Sequence, residues 1–119
     1  MHTLYHYPQC STCVKARRWL DAHEVQYQLI HLVDSPPSVD ELRLIHQLSQ
    51  RPLKALFNVS GQSYRRGDFK TRLPQMSDAE QLSALADDGK LIKRPILLSD
   101  TAALIGFKEA EWSAYFAVS

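Results

Sequence analysis

The chain opens on a short run of strand formers, "TLYHY" at 3–7, which Pro8 ends. Polar residues follow, and then Cys13, Ala16, Trp19 and Leu20 recur at the spacing of one helical face. That spacing predicts a helix over 11–23, with Ser11 and Thr12 suited to its start. "VQYQLIHL" at 25–32 alternates, placing Val25, Tyr27, Leu29 and His31 on one face of a strand. Strand, helix and strand within about thirty residues form a βαβ unit, which favours parallel strands and a right-handed crossover.

The pattern then changes. "DSPPS" at 34–38 reads as a turn. Ser38 and Glu41 have the spacing of a capping box ahead of Leu42, Ile45 and Leu48, which predicts a second helix. Near Pro52 it gives way to a short helix, "LKALF" at 53–57. The stretch 58–69, "NVSGQSYRRGDF", reads as a loop broken by Gly61 and Gly67. Ser77 and Glu80 form a second capping box, and the helix carrying Leu82, Leu85 and Ala86 is expected to stop at Gly89. "PILLS" (95–99) and "AALIGF" (102–107) flank Asp100-Thr101 as two antiparallel strands. The final stretch, 108–116, sets Trp112, Tyr115 and Phe116 on one helical stripe. The order is βαβ, then helices, then ββα. It predicts an α/β fold of the thioredoxin-like (glutaredoxin-like) kind, with a small mixed sheet. Residues 1–119 form a single domain in this reading, with a helical insertion at about 38–90.

Composition narrows the function classes. Hydrophobic residues make up 45% of 119 residues, enough for a core without staples. The formal net charge is +1, so no broad electrostatic footprint points to nucleic acid or a membrane surface. Local basic clusters stand at Lys15/Arg17/Arg18, Arg65/Arg66 and Lys90/Lys93/Arg94. No apolar run approaches the roughly 18 residues of a membrane span. "MHTLYHYPQC" has neither the basic nor the apolar region of a secretory leader. The expected compartment is the cytoplasm, where structural disulfides are rare. Small size and modest surface apolarity predict a monomer.

The chemistry gathers at "CSTC", 10–13. A cysteine pair at this spacing is open to three readings: half of a zinc site, two inert thiols, or a redox pair. Its place after a strand in a βαβ pattern favours the third. At a helix N-terminus unpaired amides and the macrodipole favour an anion, and a thiolate is the reactive form of cysteine. Cys10 is therefore the candidate nucleophile. Cys13, one turn in, is the candidate resolving thiol. Lys15, Arg17 and Arg18 add positive potential. The second candidate is "KRP" at 93–95, where Pro95 opens the third strand. In a thioredoxin-like plan that proline faces the cysteine loop, and Arg94 then stabilises a thiolate or grips an oxyanion.

"YHYPQCSTCVKARRWL", "SPPS-x-x-EL", "LKALFNVSGQSYR" and "LIKRPILL…IGFKEAEW" together resemble the arsenate reductase (ArsC)/Spx family over nearly the whole chain. The resemblance implies a thioredoxin-like fold with a helical insertion, an active thiol at Cys10 and a functional arginine at Arg94. In the arsenate reductases three arginines hold the oxyanion. Here Arg94 matches one, Asn58 stands at the place of another, and Lys108 is the cation nearest the third. The Spx-like members carry the C-x-x-C and are redox-sensing regulators that bind the C-terminal domain of the RNA polymerase α subunit. The position after Cys13, often arginine in that branch, is Val14 here.

The leading expectation is thus a thiol–disulfide oxidoreductase of the arsenate reductase family. Cys10, Cys13 and Arg94 act, and Ser11, Thr12, Lys15, Asn58 and Pro95 surround the anion. Neither metal nor organic cofactor is required; glutathione/glutaredoxin or thioredoxin resets the pair. The alternatives are an Spx-like regulator of RNA polymerase and a true arsenate reductase.

Overall fold

The computed structural model describes residues 1–117. Strand β1 (His2–His6) leads into helix α1 (Ser11–Ala22) and strand β2 (Tyr27–His31). β1 and β2 are parallel, in register from His2 opposite Tyr27 to His6 opposite His31. Strand β3 (Ile96–Leu98) pairs antiparallel with the other edge of β1, and β4 (Ala103–Ile105) pairs antiparallel with β3. The sheet order is β2-β1-β3-β4. This is the small mixed sheet of a thioredoxin-like α/β fold.

The pleat of β1 divides the core in two. Leu4 and Leu97, opposite each other, face α1 and the C-terminal helix α6 (Glu109–Phe116). There they pack with Ala16, Trp19, Leu20 and Trp112. Tyr5 and Ile96, the next pair, turn to the other face and the helices between β2 and β3. The Tyr5 hydroxyl donates to Glu41 Oε2 at 2.8 Å, tying the sheet to the insertion. Of the C-terminal stripe, Trp112 is buried while Tyr115 and Phe116 are half-buried.

The insertion comprises α2 (Val39–Ser49), a 3-10 turn at Leu53–Leu56, α3 (Gln62–Arg66), α4 (Phe69–Arg72), α5 (Asp78–Asp87) and a 3-10 turn at Gly89–Leu91. Both capping boxes form, with Ser38 and Ser77 accepting the amides of Glu41 and Glu80. Three details depart from the sequence reading. The segment expected as a loop at 58–69 contains α3, because Tyr64 and Phe69 pack on Phe57 with ring centroids 5.8–6.4 Å apart. α5 stops at Asp87 with Asp88 extended, and Gly89 opens the next turn instead of closing the helix. β2 begins only at Tyr27, after Glu24 takes a left-handed conformation (φ 58°), and Leu29 on this edge strand is 39% exposed. No helix among the described residues is long and apolar enough to cross a membrane.

Candidate active site

The turn between β1 and α1 builds the site. The Cys10 amide donates to the Tyr7 carbonyl at 2.9 Å, closing "YPQC" on itself. The Cys10 carbonyl then accepts from Val14 at 3.1 Å, the first bond of α1. Cys10 is therefore the N-cap, with extended backbone (φ −87°, ψ 118°), and the helix starts at Ser11 immediately behind it. A cysteine in this position has the unpaired amides of the first turn beside its sulfur.

Both thiols are free; Cys10 is half-buried and Cys13 is 0% exposed. The two sulfurs differ in ionisation. Burial opposes ionisation of Cys10. The Cys13 amide, the Cys13 thiol, the Thr12 amide and the Arg94 guanidinium all donate toward its sulfur, and together they bring it below the ordinary thiol value. Burial pushes Cys13 up to about 12; the Tyr7 amide, 3.5 Å from its sulfur, offsets this only in part, and the charge on Cys10 adds to the rise. The surroundings thus favour ionisation of the half-buried Cys10 sulfur and oppose it at the buried Cys13 sulfur.

Arg94 comes from the segment just before β3. Its Nη1 donates to the Lys90 carbonyl at 3.1 Å, and its guanidinium lies 5.2 Å from the centre of the Tyr7 ring. These contacts aim the side chain at Cys10. Pro95 is buried, the Arg94–Pro95 peptide bond is cis, and the Pro95 carbonyl accepts from Gly106 at 2.7 Å. The structure therefore brings together Cys10, Cys13, Thr12 and Arg94, with Pro95 alongside. Ser11 and Lys15 are exposed, and no hydrogen bond among the described residues links either side chain to the sulfurs. The Asn58 amide donates to the Leu91 carbonyl at 2.8 Å and its side-chain oxygen accepts from Ser60 at 3.4 Å, so its contacts are to the insertion. Tyr7 escaped the sequence reading. Its role is to hold both Cys13 and Arg94, and its only local signal was its place between the strand and the cysteine turn. Among the described residues no three His, Cys, Asp or Glu side chains are grouped so as to hold a metal ion.

Residues 5–115 match the ArsC family. The chain belongs to that family. It is 43% identical over 115 residues to the uncharacterised protein YusI of Bacillus subtilis (strain 168), covering 97% of this chain and 98% of that protein. It is 30% identical over 115 residues to the global transcriptional regulator Spx of Streptococcus pyogenes serotype M1, covering 97% of this chain and 84% of the regulator. Among solved structures, one described as a possible arsenate reductase from Streptococcus mutans UA159 superposes with a TM-score of 0.90 at 40% identity, covering 98% of each chain. The ArsC family thus embraces relatives named as regulators and as reductases.

Proposed function

We propose that this ArsC-family chain is a cytoplasmic thiol–disulfide oxidoreductase in which Cys10 is the nucleophile and Cys13 the resolving thiol. The observation that carries the reading is the asymmetry of the pair: a half-buried Cys10 sulfur surrounded by donors, and a buried Cys13 thiol one helical turn behind it. The Cys10 thiolate attacks one sulfur of a substrate disulfide. A Cys10–substrate disulfide forms, and the other substrate sulfur leaves as a thiolate. Cys13 then loses its proton to solvent and attacks the Cys10 sulfur, releasing the second substrate thiolate. The substrate disulfide gains two electrons and the protein ends as the Cys10–Cys13 disulfide. A dithiol or thiol reductant such as thioredoxin or glutathione/glutaredoxin returns it to the reduced state. Arg94 and the Thr12 amide hold the negative charge during attack, with Ser11, Lys15 and Pro95 as the outer members of the site, and Asn58 acts indirectly, its amide bracing the segment that carries Arg94.

The test is disulfide reduction by the wild type and two variants. Cys10→Ser abolishes turnover, and Cys13→Ser accumulates one equivalent of mixed disulfide, visible by mass spectrometry. Equal turnover in both variants refutes the assigned roles.

A second reading has support from the 30% identity to the named regulator. Here the Cys10–Cys13 disulfide changes a surface that binds the C-terminal domain of the RNA polymerase α subunit. A pull-down with that domain, in reduced and oxidised states, decides it; no binding in either state ends it. For arsenate as the substrate, the requirement is arsenate-dependent thiol consumption with a competent donor.

A further inference from the structure

We propose that the insertion carries a second site, which takes a small carboxylate with an apolar body. It goes beyond the oxidoreductase reading and does not rest on it. A pocket of about 320 Å³ opens where α3, α4, α5 and the 3-10 turn at Leu53–Leu56 come together. None of its lining residues belongs to the cysteine turn or to the segment that carries Arg94. Pockets that take small molecules run from about 300 to about 1,000 Å³, with apolar walls and a few placed polar groups. This one lies at the small end of that range and has that make-up. Leu53 and Leu73, each 7% exposed, form its apolar wall with Pro74.

The polar groups of the pocket are donors. Lys54 and Lys70 line it, and no Asp or Glu does. The two ion pairs among the described residues, His31–Asp34 and Arg43–Asp40, involve neither lysine. Tyr64 is the third donor. It is 7% exposed, and its ring is packed on Phe57 and Phe69 at centroid distances of 6.4 and 6.1 Å. Its hydroxyl makes no hydrogen bond among the described residues, whereas those of Tyr5, Tyr27 and Tyr115 all do. That oxygen is not sealed from water either: the sealed, unpartnered side-chain atoms among the described residues are His6 Nδ1 and Arg17 Nε. The hydroxyl of so buried a residue therefore opens on the pocket the residue lines. Gln81 adds no free donor of note, because its Nε2 donates to the Met76 carbonyl at 3.1 Å. Two ammonium groups and a phenol ask for an acceptor with negative charge. The leucines and Pro74 ask for hydrocarbon beside it. A bare inorganic oxyanion leaves that wall wet, and a neutral apolar molecule leaves the three donors to water.

The experiment titrates the full, reduced chain with 2-naphthoate and follows backbone amide signals by nuclear magnetic resonance. Neutral 2-naphthamide and inorganic phosphate are the comparison probes. The expected result is saturable, one-site movement of the Lys54, Tyr64, Lys70 and Gln81 signals. The carboxylate should bind roughly three- to tenfold more tightly than the amide at low salt, the gap narrowing as salt rises. Phosphate should move these signals less than the carboxylate does. Tyr64→Phe keeps the ring in its aromatic cluster and removes the hydroxyl; it should weaken 2-naphthoate by roughly two- to tenfold. Lys54→Gln and Lys70→Gln change exposed side chains and should each weaken it by roughly two- to fivefold, the effect of one surface ion pair. Equal affinity for carboxylate and amide overturns the proposal. So does a lack of saturation by roughly 10 mM. Movement centred on Arg66 or Lys93 instead places the anion on the basic residues beside Arg94 and overturns it too. None of these readouts involves Cys10, so failure here leaves the oxidoreductase reading standing, and loss of that reading leaves this site standing.

Discussion

Substituting Gly89 with alanine tests how the insertion holds the active arginine. Gly89 is buried, and a Cβ built there would sit 2.1 Å from the Leu32 carbonyl oxygen and 2.8 Å from both the Leu32 carbonyl carbon and Val33 Cα. All three neighbours are backbone, so no rotamer change relieves the contact. Ordinary van der Waals contact begins near 3.4 Å, so the turn at Gly89–Leu91 must move by about 1 Å. Overpacking of this kind costs about 1–3 kcal/mol. Alanine gains about 0.4–1 kcal/mol from a less flexible unfolded chain, which does not cover the loss. At this chain length each kcal/mol shifts Tm by roughly 3–5 °C. The variant should therefore melt several degrees below wild type. A second effect accompanies the first. The displaced turn carries the Lys90 carbonyl that holds Arg94 Nη1 at 3.1 Å, so Arg94 loses its aim and the Cys10 thiolate its guanidinium. Melting by circular dichroism and titration of thiolate ultraviolet absorbance read the two effects separately. A variant that melts at or above the wild-type temperature, with an unchanged Cys10 titration, refutes the reasoning.

Arg94→Ala should move the Cys10 titration up toward the ordinary thiol value, and Arg94→Lys should recover part of the difference as a point charge without the planar fork; thiolate absorbance checks it, and identical titrations in all three proteins contradict the role. The thiols should also shape stability against pH. Cys10, lowered in the fold, contributes stability that is fully present above the ordinary value of 9.0 and is lost as pH falls through its folded value. Cys13, raised to about 12, contributes stability that is full below 9.0 and is lost as pH rises from 9.0 toward 12. Denaturant midpoints of Cys10→Ser should therefore fall on the alkaline side while those of Cys13→Ser do not, and matching alkaline limbs refute the assignment. Trp112 is wholly buried against Phe107, at 4.8 Å between ring centroids, and donates from Nε1 to the Gly106 carbonyl at 3.2 Å. Trp112→Ala should cost about 3–5 kcal/mol in urea unfolding; a loss below about 1 kcal/mol would show that the packing on this face is not what holds α6.

Local patterns were legible where local physics decides. Ser38 with Glu41 and Ser77 with Glu80 cap their helices without help from distant residues, and both were readable. The face of α1 was readable because Cys13, Ala16, Trp19 and Leu20 are all buried on one side. α3 was not, because its five residues lie between two glycines and depend on Tyr64 packing against Phe57. Gly89 looked like a helix stop, yet its need is room for the Leu32 carbonyl, 57 positions away in the chain and absent from any local pattern. The face of β2 misled for a related reason. Alternation assumes that one side of a strand is covered, and this edge strand leaves Leu29 half in water. Cys10 and Arg94 were readable as candidates from residue type and setting. Tyr7 was not, because its ring contact with Arg94 joins segments far apart in the chain and its amide contact with Cys13 spans the turn between β1 and α1.

Burial of Cys13 and the local donors around Cys10 separate the two thiols first, and the insertion adds a smaller contribution through Arg94. The amides of Thr12 and Cys13 are local to α1, and any helix N-terminus supplies their like. The guanidinium is not local. It arrives on the segment 89–94, which the insertion holds by two hydrogen bonds, Asn58 N–H to the Leu91 carbonyl at 2.8 Å and Lys93 N–H to the Leu56 carbonyl at 2.7 Å, which together make the antiparallel bridge between Phe57 and Ile92. Phe57 in turn rests on Tyr64 and Phe69. A continuous path of packed and hydrogen-bonded groups thus runs from the aromatic cluster of the insertion to Arg94 and then to the Cys10 sulfur. Asn58, expected from resemblance at an oxyanion position, contributes its backbone to that brace. The local amides and the Cys13 thiol act on Cys10 whatever the insertion does, while the guanidinium's share depends on the insertion, so a change there reaches the sulfur through the placement of one arginine.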